Sequence, residues 1–211
     1  MPLFYTHTIN EKTRLAIWHI TETEDFFRKT ISLQNDITHP HKRLQHLAGR
    51  YLLTILEPAF PLHLLMINPS KKPHLPEGPF HFSISHCGDF AAAIISETDV
   101  VGIDVELITD KLRLIRHKFL SASENELLER TDPAKNDLTL LTSMWSAKEA
   151  MYKWYGKGSV DFRKNMIIQT INYHGDEGIM KTSFEKETNT KLVVHFRFFD
   201  EMCLAWCAEG G

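Results

Sequence analysis

Disulfide chemistry is the first thing the sequence lacks. The chain of 211 residues has three cysteines, Cys87, Cys203 and Cys207, with no Cys-x-x-Cys pair and no cysteine and histidine spacing typical of a metal site. So few cysteines, and an odd number of them, argue against a secreted domain held together by disulfides and against a zinc-binding module. We interpret all three as reduced thiols of a cytoplasmic protein.

Long apolar runs and a strong excess of one charge are missing too. The longest uncharged apolar run, residues 90–95, is far shorter than the ~20 residues of a membrane helix. The first residues lack the basic region and apolar stretch of a signal peptide. The net charge of −3 gives no reason to expect a nucleic acid or an anionic membrane as partner. We therefore expect neither membrane nor nucleic-acid binding. The 43% hydrophobic content is enough for an ordinary core.

Two carboxylates stand at alternate positions of a predicted strand, residues 102–106. In a strand, Ile103 and Val105 point to one face while Asp104 and Glu106 point together to the other. Paired carboxylate oxygens suit Mg²⁺, which uses one or two protein carboxylates and completes its shell with water and substrate phosphate. The alternative is an ordinary half-buried strand whose outer face is acidic.

A helix is predicted at residues 137–155, where helix-forming residues continue without interruption to Gly156. Trp145, Glu149 and Lys153 recur one turn apart on one face of this helix. A large aromatic residue in that stripe indicates a partly buried or cleft-lining surface. The alternative is a common exposed Glu-to-Lys pair.

The chain divides into two halves of similar organisation. The first half has a predicted helix at 42–56 and two strands, 80–84 and 90–96, joined by a loop at 86–89. The second half has the helix at 137–155 and two strands, 191–199 and 202–208. A further strand is predicted at 15–20. Residues 165–191 are expected to form strands and polar loops with turns at Gly175 and Gly178. We interpret this as a degenerate repeat of about a hundred residues, with its joint close to Gly102.

Five collinear motifs between residues 72 and 158 resemble those of the 4′-phosphopantetheinyl transferases, and more narrowly the larger, surfactin-synthetase-type branch of that family. They are Lys72-Pro73, Phe82-Ser83-Ile84-Ser85-His86, Gly102-Ile103-Asp104-Val105-Glu106, Phe119-Leu120-Ser121-Ala122-Ser123-Glu124, and Trp145-Ser146-Ala147-Lys148-Glu149-Ala150-Met151-Tyr152-Lys153 followed by Gly156-Lys157-Gly158. Agreement of all five in order is much less probable by chance than agreement of one.

The resemblance implies an α+β fold of two similar α/β lobes related by pseudo-two-fold symmetry, with the active site in the cleft between them. Residues 1–102 would form the lobe that contacts the 3′-phosphate of coenzyme A, and residues 103–211 the lobe with the metal site and the catalytic helix. It also implies transfer of phosphopantetheine from coenzyme A to a serine of an acyl or peptidyl carrier protein, with release of 3′,5′-ADP. A monomer is expected to suffice, because each chain would contain both lobes.

The resemblance further assigns roles to residues. Asp104, Glu106 and Glu149 would hold Mg²⁺, Glu149 would also act as general base, and Lys153 would bind phosphate oxygens or assist the leaving group. The residues that match the coenzyme A contacts are Arg43, Arg50, Lys72, Ser85, His86 and Lys153. Taken alone, the histidine could simply occupy a hairpin turn, Lys72 could be a solvated loop lysine, and the arginines could serve solubility.

A basic and apolar helix is predicted at residues 111–119, directly after the acidic strand. Its basic residues Lys111, Arg113, Arg116 and Lys118 could dock the acidic helix that carrier proteins present beside their serine. An amphipathic surface helix with Leu112, Ile115 and Phe119 in the core explains the same pattern.

Two other functions use the same residues. A carboxylate-dependent metal phosphohydrolase or nuclease would hold Mg²⁺ for attack by water, although a nuclease should also carry a basic track. A non-catalytic homologue that only binds carrier proteins should have lost a carboxylate or the lysine, yet this chain has kept Asp104, Glu106, Glu149 and Lys153.

Overall fold

The computed structural model describes residues 2–33, 36–68, 72–76, 78–131, 137–187 and 189–209. The chain forms two compact units, Met1–Val101 and Gly102–Gly211, each of which combines an antiparallel sheet with helices. The protein is therefore α+β, and the division lies one residue before the one expected from the sequence. Within the described ranges, no helix is both long enough and apolar enough to cross a membrane.

The first unit contains a four-stranded sheet of order β1-β2-β6-β5 and a small two-stranded sheet. Its elements are β1 (Leu3–Asn10), β2 (Thr13–His19), α1 (Glu24–Arg28), α2 (Pro40–Leu56), a 3-10 helix (Leu62–Leu64), β3 (Met66–Ile67), β4 (Pro73–His74), β5 (His81–Cys87) and β6 (Phe90–Ser96). Helix α2 packs on β2, β5 and β6 and covers the main core of this unit.

Helix α2 begins two residues before the predicted start. Pro40 takes the first helical position, where its missing N–H costs no hydrogen bond. His39 caps the helix, because its Nδ1 accepts a hydrogen bond from the Lys42 amide at 3.3 Å. Leu47, Leu52 and Leu53 are fully buried against the sheet. The predicted period of apolar residues therefore fixes which face of α2 is inside.

The hairpin of β5 and β6 is tighter than the sequence indicated. We predicted a loop at residues 86–89, but β5 continues to Cys87, which pairs with Phe90. The turn is only Gly88 and Asp89, and Gly88 has a φ of 52°. Glycine reaches this left-handed conformation without a steric penalty, as two-residue hairpin turns require. The prediction of a loop at His86 was wrong, and Ser85 and His86 lie in a strand.

The second unit contains a five-stranded sheet of order β7-β11-β10-β9-β8. Its elements are β7 (Val101–Leu107), α3 (Lys111–Phe119), α4 (Ala122–Thr131), α5 (Asp137–Tyr155), β8 (Met166–His174), β9 (Glu177–Glu185), β10 (Asn189–Phe198) and β11 (Met202–Ala208). The turn predicted at Gly175 is present, with a φ of 60°. Gly178, also predicted as a turn, lies within β9 instead. A Cβ there would stand 2.3 Å from the Phe196 ring, so close packing explains this glycine.

Strand β7 approaches α5 at Gly102. A Cβ built on Gly102 would lie 2.0 Å from the Ala150 carbonyl oxygen and 2.8 Å from the Trp154 nitrogen. The absence of a side chain thus lets the strand backbone touch the helix backbone. The buried side of α5, which includes Met144, Ala147 and Met151, packs on β11 and β10. This contact fixes the distance between the acidic strand and the predicted catalytic helix.

Candidate active site

The predicted acidic pair lies on β7, deep in the second unit. Asp104 is only 5% exposed and Glu106 is half-buried, while Ile103 and Val105 are buried in the core. Cys203 on β11 is also fully buried, and burial together with the charges of Asp104 and Glu106 raises the pKa of its thiol well above the ordinary value. Asp104 therefore lies in a poorly hydrated environment, where an ionised carboxylate needs a charged or hydrogen-bonding partner.

Helix α5 brings two side chains to these carboxylates. The Lys153 ammonium donates a hydrogen bond to Asp104 Oδ1 at 2.7 Å. On the same face of the helix, two turns before Lys153, Trp145 Nε1 donates to Glu106 Oε2 at 3.2 Å. Glu149 stands between Trp145 and Lys153, one turn from each. The predicted stripe on α5 thus faces the predicted pair on β7.

Glu149 has the most informative electrostatics of the site. Burial and the negative charge of Asp104 raise the pKa of Glu149 to about 7, with a smaller upward contribution from Glu106 and an opposing one from Lys153. A carboxyl group with a pKa near neutrality exchanges a proton readily at physiological pH. Perturbed carboxyl groups of this kind are concentrated in functional sites.

The donor set fits a hard divalent cation in type and charge. Three carboxylates and one ammonium group would carry a net charge of −2 if all were ionised, and carboxylate oxygen is what Mg²⁺ prefers. However, among the residues that the structure describes, no three His, Cys, Asp or Glu side chains are already arranged around one point as ligands. The ion pair of Lys153 with Asp104 occupies one of the oxygens. The three carboxylates act on one another electrostatically, but their side chains do not form a preorganised cage.

A second group of predicted residues meets in the first unit. The rings of His46 and His86 lie 5.0 Å apart. Arg50 donates to the His46 carbonyl at 3.0 Å and lies 3.4 Å from His46 Nδ1. Burial lowers the pKa of His46 to about 4, helped by His86, Arg50 and Lys42. Burial also lowers the pKa of the Arg50 guanidinium.

His46 was not predicted. Its signal in the sequence was its place four residues before Arg50, on the same face of α2. Two histidines and an arginine in half-buried positions form a group of side chains that can donate hydrogen bonds, here called the His46 cluster (His46, Arg50 and His86). Such a cluster suits a phosphate group.

The other predicted coenzyme A contacts are placed differently. Arg43 is turned toward Glu24, whose two carboxylate oxygens lie 2.9 Å from its Nε, and toward the Ile37 carbonyl at 2.7 Å. The hydrogen bond with Glu24 raises the pKa of Arg43. Ser85 is buried in β5, next to His86. Lys72 precedes β4, and its amide donates to Asn68 Oδ1 at 2.8 Å. The structure therefore brings Arg50 and His86 together but holds Arg43 in a structural ion pair.

Helix α3 only partly follows the prediction for the basic helix. Leu112 and Phe119 are buried as expected, whereas Ile115 is half-buried. Leu114 is 77% exposed, the largest exposure among the large apolar side chains described. Arg116 is turned toward α4, where it bonds Asn125 and lies 3.4 Å from Glu129. Lys111, Arg113 and Lys118 remain exposed around Leu114.

A cavity of about 440 Å³ lies elsewhere in the second unit. It is lined by residues of the turns after β8 and β10 and by the start of α5, among them Tyr173, Asp176, Phe199 and Asp200. None of the predicted site residues lines it. The predicted metal-site residues therefore lie at the contact of β7 and α5 and not in this cavity.

Comparison with known proteins shows the family to which the chain belongs. Residues 100–207 match the model of the 4′-phosphopantetheinyl transferase superfamily. The match covers both β7 and α5, and the chain belongs to this superfamily. The prediction of the family from the five motifs is confirmed.

Individual proteins similar to this chain are named as 4′-phosphopantetheinyl transferases. The chain is similar to the 4′-phosphopantetheinyl transferase psf-1 of Bacillus pumilus, with 38% identity over 79 residues, or 37% of this chain and 33% of the relative. It is 32% identical over 118 residues to the 4′-phosphopantetheinyl transferase AcpT of Salmonella typhi, covering 54% of this chain and 60% of the relative. AcpT of Escherichia coli K12 is 31% identical over 118 residues. The chain spans less than two thirds of the length of these relatives.

Proposed function

We propose that the protein transfers the 4′-phosphopantetheine group of coenzyme A to a serine hydroxyl of an acyl or peptidyl carrier protein and releases 3′,5′-ADP, in a Mg²⁺-dependent reaction. The observation that carries this proposal is the meeting of Asp104, Glu106, Glu149 and Lys153 at the contact of β7 and α5. All four lie in the segment that matches the superfamily. We further propose that the enzyme acts as a cytoplasmic monomer of the larger branch, without nucleic-acid or membrane partners.

Glu149 is the proposed general base. The reaction requires removal of a proton from the serine hydroxyl while its oxygen attacks the phosphorus of the pyrophosphate and the bond to 3′,5′-ADP breaks. A carboxyl group with a pKa of about 7 is ionised in a large fraction of molecules at neutral pH, and it is basic enough to accept that proton. Lys153 then stabilises the negative charge that develops on the phosphoryl oxygens. Its present partner, Asp104, holds the ammonium in place.

Asp104, Glu106 and Glu149 are the proposed Mg²⁺ ligands. When bound, the cation would neutralise charge on the phosphoryl oxygens of the substrate. Lys153, which donates to Asp104 Oδ1, would bind phosphoryl oxygens of the substrate beside these ligands. Trp145 would keep Glu106 oriented, because its indole N–H donates a hydrogen bond to Glu106 Oε2.

The His46 cluster is the proposed site for the 3′-phosphate of coenzyme A. Arg50 and His86 were expected to contact this phosphate, and His46 adds a third donor within the same group. A dianion beside His46 would favour its protonated form and add one more charge-assisted hydrogen bond. Ser85 and Lys72 are proposed as further contacts. Arg43 is proposed to act there only if its ion pair with Glu24 opens.

Helix α3 is the proposed docking surface for the carrier protein. Lys111, Arg113 and Lys118 offer positive charge around the exposed side chain of Leu114. An acidic carrier helix with an apolar residue at its centre would complement this surface, with charge guiding the approach and Leu114 filling an apolar contact. Arg116, which is engaged with α4, and Arg113, which pairs with Asp110 at 2.8 Å, are proposed to contribute less than Lys111 and Lys118.

Intact-mass measurement tests the function directly. The purified protein is incubated with coenzyme A, Mg²⁺ and a panel of apo carrier domains, and the carriers are weighed for the phosphopantetheine adduct. We expect modification of at least one carrier and release of 3′,5′-ADP. Asp104→Asn should slow the reaction by about 10²–10³-fold. Asp200→Asn, an exposed aspartate in the turn before β11, is the matched control and should react like the wild type.

The other functions predict different outcomes of the same assay. A metal phosphohydrolase would break down coenzyme A or a nucleotide without any carrier and would leave the carrier mass unchanged. A non-catalytic homologue would bind an apo carrier but would neither modify it nor release 3′,5′-ADP. Either result would overturn the proposal.

A further inference from the structure

We propose that the buried ion pair of Lys148 and Glu124 is a positioning device for the active site, which holds Trp145 and thereby the Glu106 carboxylate, and which fixes the end of helix α3. This inference rests on the proposed function, since it assigns to the pair a part in that same reaction. Neither residue would touch the substrate.

Lys148 is completely buried and its ammonium is fully used. Its Nζ donates to the Phe119 carbonyl at 2.6 Å, to the Phe162 carbonyl at 2.8 Å and to the Glu124 carboxylate at 2.7–2.8 Å. An ammonium group has three hydrogens, so these three partners satisfy it. Although Lys148 directly precedes Glu149 in the sequence, it has no hydrogen left for a phosphate.

Glu124 carries the connection further. Its Oε1 also accepts from the Ile168 amide in β8 at 2.9 Å, and its Oε2 accepts from the Ser121 amide at 2.8 Å. Ser121 Oγ accepts in return from the Glu124 amide at 3.3 Å, which is the reciprocal arrangement of a capping box at the start of α4. The pair therefore joins the end of α3, the start of α4, helix α5, the segment after α5 and strand β8.

The two carbonyls that Lys148 binds belong to the two residues that enclose Trp145. The Phe119 ring meets the indole edge-on at 5.0 Å between centroids, and the Phe162 ring is stacked on it at 5.6 Å. Trp145 in turn donates its N–H to Glu106. A continuous set of contacts thus leads from Lys148 through both phenylalanines to the indole, and from the indole to a proposed metal ligand.

Stability alone does not explain such a pair. A buried ion pair is often no more stabilising than apolar side chains of similar volume, because both charges must lose their hydration. The pair instead fixes positions, since each of its hydrogen bonds to the main chain holds one main-chain group in place. Phe119 also ends α3, so the same contact would orient the proposed docking surface relative to Glu149.

The deciding experiment removes both charges together. Lys148→Met alone would leave a buried unpaired carboxylate and could unfold the protein, so we use Lys148→Met combined with Glu124→Leu. Circular dichroism and thermal unfolding establish that the double variant folds. The enzyme is labelled with 5-fluorotryptophan, and the resonance of Trp145 is assigned by its loss in Trp145→Phe. Kinetics with coenzyme A and the carrier are measured in parallel.

We expect the double variant to fold, to shift or broaden the Trp145 fluorine resonance, and to lower kcat by about 10- to 100-fold. KM for the carrier should rise, while KM for coenzyme A should change little. Val194→Ala, a truncation of a fully buried side chain on β10, is the control for a general loss of packing. It should leave the Trp145 resonance and kcat close to those of the wild type.

A folded double variant with an unchanged Trp145 resonance and wild-type kinetic constants would overturn the proposal. If the wild type modifies no carrier, the proposed function fails. If the double variant nevertheless alters the Trp145 resonance, the positioning of Trp145 by the ion pair is still supported. The spectroscopic and kinetic arms therefore separate the two hypotheses.

Discussion

Replacing Glu149 by glutamine is expected to abolish a pH dependence of stability that the wild-type protein carries in the absence of metal. The pKa of Glu149 is raised from its ordinary value of 4.5 to about 7 in the fold. A raised pKa means that the folded state binds more protons than the unfolded state between these two values. The contribution of this group to stability is therefore fully present below pH 4.5 and is lost as the pH rises through 7.

The size of the effect follows from the shift. Each pKa unit corresponds to 1.36 kcal/mol, so a difference of 2.5 units amounts to about 3 kcal/mol as an upper bound. Glutamine has nearly the same shape and no charge to bury. The free energy of unfolding of Glu149→Gln, relative to the wild type, should thus increase by up to about 3 kcal/mol between pH 4.5 and pH 8.

Urea denaturation in the presence of a chelator, repeated across this pH range, measures the effect. Glu126→Gln, which alters an exposed carboxylate on α4, is the matched control and should give a curve parallel to the wild type. Added Mg²⁺ should stabilise the wild type at pH 8 more than Glu149→Gln. If wild type and Glu149→Gln gave parallel stability curves without metal, the electrostatic description of the site would be refuted.

Three further predictions concern the parts around Glu149. Gly102→Ala should lower the free energy of unfolding, measured by urea denaturation, by about 1–3 kcal/mol, because the new Cβ would collide with the Ala150 carbonyl. An unchanged free energy of unfolding would contradict the close contact. Binding of 3′,5′-ADP should move the pKa of His46 upward from about 4, as an NMR titration would show, and an unmoved value would place the phosphate elsewhere. Trp145→Phe should keep the ring packing but lose the hydrogen bond to Glu106. The free energy of unfolding should fall by about 1 kcal/mol, and kcat should fall as well. An unchanged kcat would argue against orientation of Glu106 by the indole.

The parts of the fold with a strong period were predictable from the sequence. The helix at 137–155 has the bounds that its helix-forming residues indicated, and the acidic strand extends one residue beyond the predicted 102–106 at each end. Their functional residues meet. Asp104 and Lys153 are 49 positions apart in the chain, so periodicity alone could not have paired them. It was the family resemblance that supplied this connection.

Elements with weak patterns were missed for physical reasons. Strand β1 is exposed along most of both faces, so it shows no alternation of apolar and polar residues. Helix α4 lies directly after α3 and is set off from it by the short capping arrangement at Ser121 and Glu124. Lys148 could not be recognised as buried, because lysine in a helix is normally exposed and the sequence does not reveal the carbonyls that surround it.

The cysteines of the second unit can report on local opening of its sheet. Cys203 and Cys207 are completely enclosed on β11, whereas Cys87, in the first unit, is partly accessible. A thiol reagent should therefore modify Cys87 rapidly and reach the other two only when β11 separates from its neighbours. Strand β11 is next to β7, which carries Asp104 and Glu106. The rate of that slow labelling would therefore measure how often the sheet opens beside the proposed metal ligands.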